Sequence, residues 1–439
     1  MKNRKRSFYL WVGVLAMMLG TNLPAQDIAG DWQGRLKAGP GELRVVVTIF
    51  KSSDGKWNGT LRSIDQSPDW GVGLPIDSID LQGANLKFAV GALRGTYEGK
   101  VSPDGASIEG TWSQGQPLPL EFLRATQETA WKDPSPHTVQ FVTVESASVN
   151  APVKLEVLDW GGSGRPLVLL AGLGNTAHVF DKFAPKLTTT CHVYGITRRG
   201  FGASSAPSPS ESSYSADRLG DDVLAVLDAL KLNRPVLAGH SLAGEELSSV
   251  GSRHPDRVAG LIYLDAGYSY AYYDRSRGDF GIDLAELQRK LEQLQPGKGP
   301  QDQGHLIEEL LSTTLPGFER DLKEMQKNLP EAGTGQPAPL PPITQAIMTG
   351  MQKYTDIRVP VLAIYALPHA TGQPFKDDAA RAVADAKDEA TTGAQAKAFE
   401  SGVRSARVVR LAHANHFVFL SNEADVLREI NAFLDTLPK

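Results

Sequence analysis

One serine of the chain stands in a setting that suits a nucleophile. Ser241 lies in the segment Gly239-His240-Ser241-Leu242-Ala243, which follows a short apolar run and precedes a segment with helical periodicity. A nucleophile elbow puts its serine on a tight strand-to-helix turn, with small residues two positions before and two positions after it. Gly239 and Ala243 meet both requirements, with alanine replacing the second glycine of the G-x-S-x-G pattern. We therefore predict that Ser241 attacks a substrate carbonyl, the alternative being a structural serine in a turn.

A serine nucleophile needs a general base, and on this kind of elbow the histidine follows the last strand of the sheet. The segment LAHANHFVFLSN at 411–422 supplies His413 and His416. We assign His416, because it directly precedes the apolar run that leads into the final helix. His413 follows the strand closely and is the alternative, as an exposed loop histidine. The remaining candidates are expected to be ordinary loop or helix-surface histidines, at positions 137, 178, 192, 254 and 305.

The acid that orients the histidine is open to more than one assignment. Asp265 ends the predicted strand GLIYLD at 260–265, and strand tips beside the elbow share one edge of a sheet. The usual position, after the next strand, offers His369 and no carboxylate through residue 372. Asp377 and Asp378 follow at a predicted helix start, where carboxylates are common as caps. We favour Asp265, with Asp377 or Asp378 as alternatives and with another residue or no acid as the remaining possibility. In the last two cases Asp265 would simply bind loop amides.

An oxyanion hole needs two backbone N–H groups near the nucleophile. The residue after the serine, Leu242, provides the first. The segment Ala171-Gly172-Leu173-Gly174 follows the first central strand, so Leu173 provides the second. No metal ion or organic cofactor is expected, because no motif with ligand spacing is present.

The elements that position these residues alternate between strands and helices from about residue 139, which is typical of a mainly parallel sheet. Apolar strands are predicted at 166–172, 191–196, 235–239, 260–265, 359–365 and 406–411, and helices at 215–230, 242–253 and 423–437. The predicted fold class is α/β. An insertion at about 266–358 with helical periodicity is expected to form a lid.

A different pattern precedes this part. Short strand-like runs with turn signals occupy 26–126 and predict seven or eight antiparallel strands in a small β-barrel-like domain. Aromatic core packing explains its tryptophans better than a ligand mouth does. The segment 127–138 is a proline-containing linker, and the α/β domain spans 139–439.

The first residues have the pattern of a secretory signal peptide, which we assign to 1–25. Four basic residues precede an apolar run of 13 residues, Phe8 to Gly20, which is short for a membrane span. A periplasmic or secreted protein is therefore expected, with an uncleaved anchor as the alternative and no stable membrane span after signal removal.

The overall composition excludes several function classes. Lys and Arg total 45 against 50 Asp and Glu, so the net charge is −5 and no basic excess favours nucleic acid. A single cysteine excludes an intramolecular disulfide and a thiolate zinc cluster. The composition does not indicate an oligomeric state.

Five segments together resemble the α/β-hydrolase superfamily over residues 139–439. They are Gly172-Leu173-Gly174, TRRGFGASS (197–205), GHSLAGEE (239–246), YLDA (263–266) and HANHFVFLSN (413–422). Residues 26–126 separately resemble lipocalin-like domains of exported hydrolases.

The resemblance to α/β-hydrolases implies a Ser-His-acid hydrolase acting on a small-molecule ester, thioester, lactone or amide. We expect a carboxylic ester or lactone hydrolase that works through an acyl-enzyme. The alternatives are an amide or peptide hydrolase, with Glu245 or Glu246 anchoring a substrate amine, and a non-catalytic binding protein on the same fold.

Overall fold

The structure is a computed structural model that describes residues 27–38, 41–52, 55–64, 73–132, 135–144, 152–295, 303–327, 340–370 and 376–438. The predicted signal peptide at 1–25 lies outside the described residues. The described chain forms two compact units, one ending at Trp131 and the other beginning at Lys132. Within the described residues, none of the helices has the length and apolar character that a membrane crossing requires.

The first unit is an antiparallel sheet in the order β4-β3-β2-β1-β9-β8-β7-β6-β5. Its strands are β1 (Gly30–Ala38), β2 (Gly41–Lys51), β3 (Trp57–Ser63), β4 (Leu74–Pro75), β5 (Ser78–Gln82), β6 (Asn85–Val90), β7 (Gly95–Val101), β8 (Ser107–Gln114) and β9 (Gln116–Arg124). The predicted all-β character is confirmed, and the very short β4 brings the strands above the predicted seven or eight. Trp32 and Trp112 are buried in the core beside Phe88, Tyr97 and Phe122. This is the aromatic packing expected of them.

The second unit is built on one sheet in the order β10-β11-β13-β12-β14-β15-β16-β17. Its strands are β10 (Thr138–Val144), β11 (Val153–Gly162), β12 (Arg165–Leu170), β13 (Cys191–Ile196), β14 (Val236–His240), β15 (Gly260–Leu264), β16 (Val361–Ala366) and β17 (Ala406–Leu411). The pairs from β13 and β12 through to β17 are parallel, whereas β10 and β11 pair antiparallel at one side. The predicted α/β fold class is confirmed.

Helices cover the sheet and occupy the predicted insertion. They are α1 (Glu211–Tyr214), α2 (Ala216–Ala229), α3 (Ala243–Arg253), α4 (Phe280–Gln293), α5 (Gly304–Glu309), α6 (Leu315–Lys327), α7 (Pro342–Thr349), α8 (Asp378–Asp388), α9 (Ala394–Gly402), α10 (Val418–Ser421) and α11 (Glu423–Thr436). The helix predicted at 215–230 is observed as α2, and its apolar side chains Leu219, Val223, Val226 and Leu227 all pack inward. The helices α4 to α7 lie between 266 and 358, as the helical periodicity of that stretch predicts.

The register of two parallel strands places the candidate catalytic residues. The last pair between β14 and β15 joins His240 to Leu264, so Ser241 and Asp265 are the next residue on each strand. Carboxyl ends of parallel strands lie at one edge of the sheet, where ligands bind in open α/β folds. Both residues also leave their strand with a positive φ, 51° at Ser241 and 48° at Asp265. Such backbone is sparsely populated for non-glycine residues, and it turns both side chains out at the same edge.

Candidate active site

Ser241 occupies the turn between β14 and α3 that the sequence predicts. Its N–H donates to the carbonyl of Leu264 at 3.2 Å, which fastens the turn to the neighbouring strand. A Cβ atom at Gly239 would lie 3.0 Å from the Cβ of Ala243 and 3.0 Å from the side chain of Leu247. The small residue at 239 is therefore required because strand and helix almost touch behind the serine.

Asp265 is fully buried and accepts hydrogen bonds at both oxygens. Its Oδ2 accepts from His416 Nδ1 at 2.6 Å, and its Oδ1 accepts from the N–H of Ala366 and from the Tyr268 hydroxyl, both at 3.0 Å. Burial acts to raise the pKa of Asp265, but hydrogen bonds from His369 and His416 outweigh it and the pKa is lowered. The carboxylate is thus charged, and it fixes the orientation of the His416 ring.

His416 lies in the loop between β17 and α10, with 40% of its side chain exposed. The neighbour of the serine helps to hold this loop, because His240 Nε2 donates to the His416 carbonyl at 3.1 Å. Burial lowers the pKa of His240 to about 3, so this ring is neutral and carries one donor. The two histidine rings are 4.6 Å apart between centroids. Ser241, Asp265 and the His416 loop therefore share one edge of the sheet.

The Ser241 side chain makes a different contact from the one that proton transfer requires. A hydrogen bond joins it to Tyr270, whose pKa burial and the Asp265 charge raise well above its ordinary value. Among the described contacts, none joins the Ser241 hydroxyl to the His416 ring. In serine hydrolases the hydrogen bonds used in catalysis are often long in the absence of substrate.

A second histidine contacts the same carboxylate, which sequence reasoning missed. His369 follows β16, and its Nε2 lies 2.9 Å from Asp265 Oδ2 while its Nδ1 lies 2.9 Å from Asp388 Oδ2. Hydrogen bonding to Asp265, opposed by burial and assisted by Asp388, raises the pKa of His369 to about 9. Both ring nitrogens therefore donate, and His369 is a cation between two carboxylates. The only signal in the sequence was a histidine where the acid usually stands.

The alternative site residues lie elsewhere. Asp377 is the N-cap of α8, where its Oδ1 accepts from the N–H of Ala380 at 2.7 Å. The side chain of Asp378 is almost fully exposed and lies 3.9 Å from Arg381. His413 is exposed, and its backbone N–H donates to the Pro368 carbonyl at 2.7 Å. None of the three contacts Ser241, Asp265 or His416 among the described interactions.

The segment predicted to complete the oxyanion hole packs directly against the serine. A Cβ atom at Gly172 would lie 3.0 Å from the Cβ of Ser241 and 2.9 Å from His240 Nδ1. Within the described residues, neither Leu173 nor Leu242 donates its backbone N–H to another backbone carbonyl. Both groups are therefore available to an oxygen bound beside Ser241.

A buried ion pair supports the oxyanion segment from behind. Arg198 donates from Nε to Glu246 Oε1 at 2.5 Å, and from its two terminal nitrogens to the carbonyls of Ala171 at 3.0 Å and Gly172 at 3.3 Å. Glu245, beside it on α3, is completely buried, and burial raises its pKa well above the ordinary value. Both glutamates of the first turn of α3 are buried, because α3 runs through the interior.

Two groups of described side chains bring three metal-ligating atoms within 4.8 Å of one another. The first is Asp265, His369 and His416, whose atoms hydrogen-bond to each other as described above. The second is His137, His178 and Asp181, which lies outside the serine site. His137 lies in the loop before β10 and His178 in the 3-10 turn Ala177–Phe180, and their side chains are 7% and 13% exposed.

Comparison with known proteins agrees with this architecture. A family described as alpha/beta hydrolase fold matches residues 165–423, which is more than half of the chain. The chain therefore belongs to the α/β hydrolase fold family.

Curated relatives match shorter stretches. A fluoroacetate dehalogenase of a Burkholderia species is 32% identical over 116 residues, covering 26% of this chain and 38% of that protein. A putative carbamate hydrolase of Caulobacter segnis is 33% identical over 111 residues, covering 25% and 41%. The chain thus spans about two fifths of the length of these relatives. Among solved structures, a thermophilic esterase from Thermogutta terrifontis is 19% identical with a TM-score of 0.43, covering 67% of this chain and 98% of that one.

Proposed function

We propose that the chain is a serine hydrolase that cleaves a carboxylic ester or lactone through an acyl-enzyme. The observation that supports this most is the placement of Ser241 and Asp265 on adjacent strand tips, with the 2.6 Å bond from His416 to Asp265. Ser241 Oγ attacks the carbonyl carbon while His416 Nε2 takes its proton. His416 then gives that proton to the leaving alcohol, which leaves Ser241 acylated. A water molecule next attacks the acyl carbon while His416 takes its proton, and His416 returns the proton to Ser241 Oγ as the carboxylic acid leaves.

In this mechanism the negative oxygen of each tetrahedral intermediate binds to the N–H groups of Leu173 and Leu242. Asp265 orients His416 and stabilises its cation, as the acid of such a triad does. We include in the proposal that the helical insertion at 266–358 covers the site and sets its specificity. We also propose export by the segment 1–25, which mass spectrometry of the mature N-terminus tests, since cleavage there removes four basic residues.

The identity of the nucleophile and the burial of two glutamates bear on which of the alternative reactions this chain can catalyse. A dehalogenase that forms an ester intermediate needs a carboxylate nucleophile, and this chain has Ser241 at the elbow, so we do not transfer dehalogenation. A carbamate carbonyl is open to the same attack as an ester carbonyl. The alternative of an amide or peptide hydrolase needs an accessible carboxylate that can bind the substrate amine. Glu245 is fully buried and Glu246 is bound to Arg198, which disfavours that alternative.

The test compares turnover of p-nitrophenyl acetate and butyrate by the wild type, Ser241→Ala, His416→Ala and His413→Ala. We expect Ser241→Ala and His416→Ala to lose turnover by several orders of magnitude, about 10⁴ or more. His413→Ala is the matched control and should remain active, because His413 lies in the same loop without touching Asp265.

A fluorophosphonate probe reports an activated serine even if the enzyme does not accept nitrophenyl esters as substrates. We expect it to label Ser241, identified by peptide mass spectrometry, and to leave Ser241→Ala unlabelled. Full turnover in Ser241→Ala would overturn the mechanism. A wild type that neither reacts with the probe nor cleaves any ester would favour a binding protein on this fold.

A further inference from the structure

A compact group of nitrogen and oxygen ligands lies in the second unit, separate from the serine site. His137 directly precedes β10, His178 lies in a 3-10 turn at Ala177–Phe180, and Asp181 follows that turn. Glu156 on β11 borders the group. The four side chains are between 7% and 13% exposed, so water solvates them poorly. Buried charged and polar groups of this kind require close partners.

The three ligating side chains face one another around the Asp181 carboxylate. Asp181 Oδ1 lies 3.0 Å from His137 Nδ1, and its Oδ2 lies 3.0 Å from His178 Nδ1. The His137 Nδ1 atom is buried and makes no hydrogen bond despite that short distance, because the two groups are not aligned for one. Two imidazole nitrogens and one carboxylate converging in this way form the donor set of a transition-metal site.

The surroundings of His178 match the outer shell of a metal-binding histidine. Its Nε2 faces Glu156 Oε1 at 3.6 Å, and Glu156 Oε2 accepts from the Thr197 hydroxyl at 2.6 Å. A carboxylate that takes the N–H of one ring nitrogen leaves the lone pair of the other free for a metal, which is the usual arrangement around a ligating histidine. In His178 the ring nitrogen away from Glu156 is Nδ1, which hydrogen-bonds to Asp181 Oδ2 at 3.0 Å, and a bound ion would replace the proton between them.

We propose that His137, His178 and Asp181 bind one divalent transition-metal ion, with zinc as the preferred ion and Glu156 as the carboxylate that orients His178. Zinc is favoured because it takes imidazole nitrogen and carboxylate oxygen in tetrahedral sites, with water as a fourth ligand. The site joins the segment before β10 to the turn that follows the oxyanion segment, so its role is structural. The proposal does not depend on the chemistry of Ser241.

The test uses the full chain with its affinity tag removed and its metal stripped by a chelator, titrated with Zn²⁺ by calorimetry. We expect one equivalent bound with a Kd of about 1 μM or tighter and a higher Tm in its presence. His178→Ala and Asp181→Asn should weaken binding at least ~100-fold, and Glu156→Gln by about 10- to 100-fold. Co²⁺ should bind with the visible absorption of a tetrahedral ion, a signature that these residues would not give if they formed only a hydrogen-bonded network.

The matched control is His192→Ala, because His192 Nε2 also faces a carboxylate, Asp159 at 2.8 Å, but without a third ligand. It should bind Zn²⁺ as the wild type does. Should His178→Ala fail to fold, the milder His137→Gln replaces it with the same expected loss. Absence of binding at 100-fold the expected Kd would overturn the proposal. Binding that His416→Ala abolishes and His178→Ala preserves would overturn it too, since the ion would then lie at the serine site.

Discussion

The Nε2 atom of His369 lies 2.9 Å from the Oδ2 atom of Asp265, the same oxygen that accepts from His416. One buried carboxylate thus serves two histidines. The second ring nitrogen of His369 donates to Asp388, which keeps His369 protonated and its ring fixed. The candidate triad is therefore extended to a chain of four groups, Asp388, His369, Asp265 and His416. In the proposed mechanism His369 does not touch the substrate and acts through Asp265, as a positioning residue.

The first prediction tests whether Asp265, rather than Asp377, is the acid that orients His416. Asp265→Asn should lower kcat for p-nitrophenyl butyrate by about 10⁴, because the amide no longer holds His416 in the required tautomer. Asp377→Asn is the matched control and should leave kcat unchanged, since Asp377 caps α8. Steady-state kinetics decide between them. An active Asp265→Asn variant would assign the acid elsewhere and leave the serine mechanism intact.

The second prediction concerns the pH dependence of the rate. The pKa of His369 is raised to about 9, so this ring loses its charge only as pH rises through 9. We expect kcat/KM of the wild type to decline there, because Asp265 then loses the charged partner that holds it in place. His369→Gln has no such proton, so its profile should lack this decline, and His192→Gln is the control. Identical profiles from pH 6 to 10 for the wild type and His369→Gln would show that His369 serves packing alone.

The third prediction concerns stability. The pKa of His369 is raised from its ordinary 6.5 to about 9 in the folded protein. The stability that this contributes is complete below pH 6.5 and is lost as pH rises through 9, up to about 3 kcal/mol. Urea unfolding of the wild type and His369→Gln at a series of pH values should therefore show the difference in unfolding free energy shrinking from pH 6.5 to 9.5. A constant difference would contradict the charged state of His369.

The fourth prediction tests the oxyanion segment. Gly172→Ala places a methyl group 2.9 Å from His240 Nδ1 and 3.0 Å from the Ser241 Cβ. The Leu173 N–H must then move, and kcat should fall by about 10²–10³, the effect of losing one oxyanion donor. Gly317→Ala is the control, because nothing lies within 4 Å of its new methyl group. Equal kinetics for the two variants would remove Leu173 from the oxyanion hole.

The fifth prediction addresses the buried pair behind that segment. Arg198→Met leaves the Glu246 carboxylate buried without its partner and should destabilise the fold by about 3–5 kcal/mol. The double variant Arg198→Met with Glu246→Met removes both charges and should recover part of that loss. Chemical denaturation of the three proteins gives the comparison. A double variant less stable than Arg198→Met would show that Glu246 has a second essential partner.

The sequence by itself determined the features that depend on neighbouring residues. Small side chains at 239 and 243 around Ser241 predict the elbow, because the turn is a local steric requirement. The alternation of apolar runs with helical periodicity predicts the parallel sheet and its helices, because each element must bury its own apolar face. The same pattern predicts that a strand ends at Asp265. It therefore also predicts that Asp265 lies at the edge of the sheet formed by the carboxyl ends of the parallel strands.

Tertiary structure alone decided which of these residues meet. Asp265 and His416 are 151 positions apart in the chain, and only the strand order β14-β15-β16-β17 brings their side chains to one bond. The spacing of residues in the sequence does not predict that His369 contacts Asp388, or that His137 packs beside His178. Contacts between distant residues depend on how elements pack, and a linear pattern of hydrophobicity carries no record of that packing.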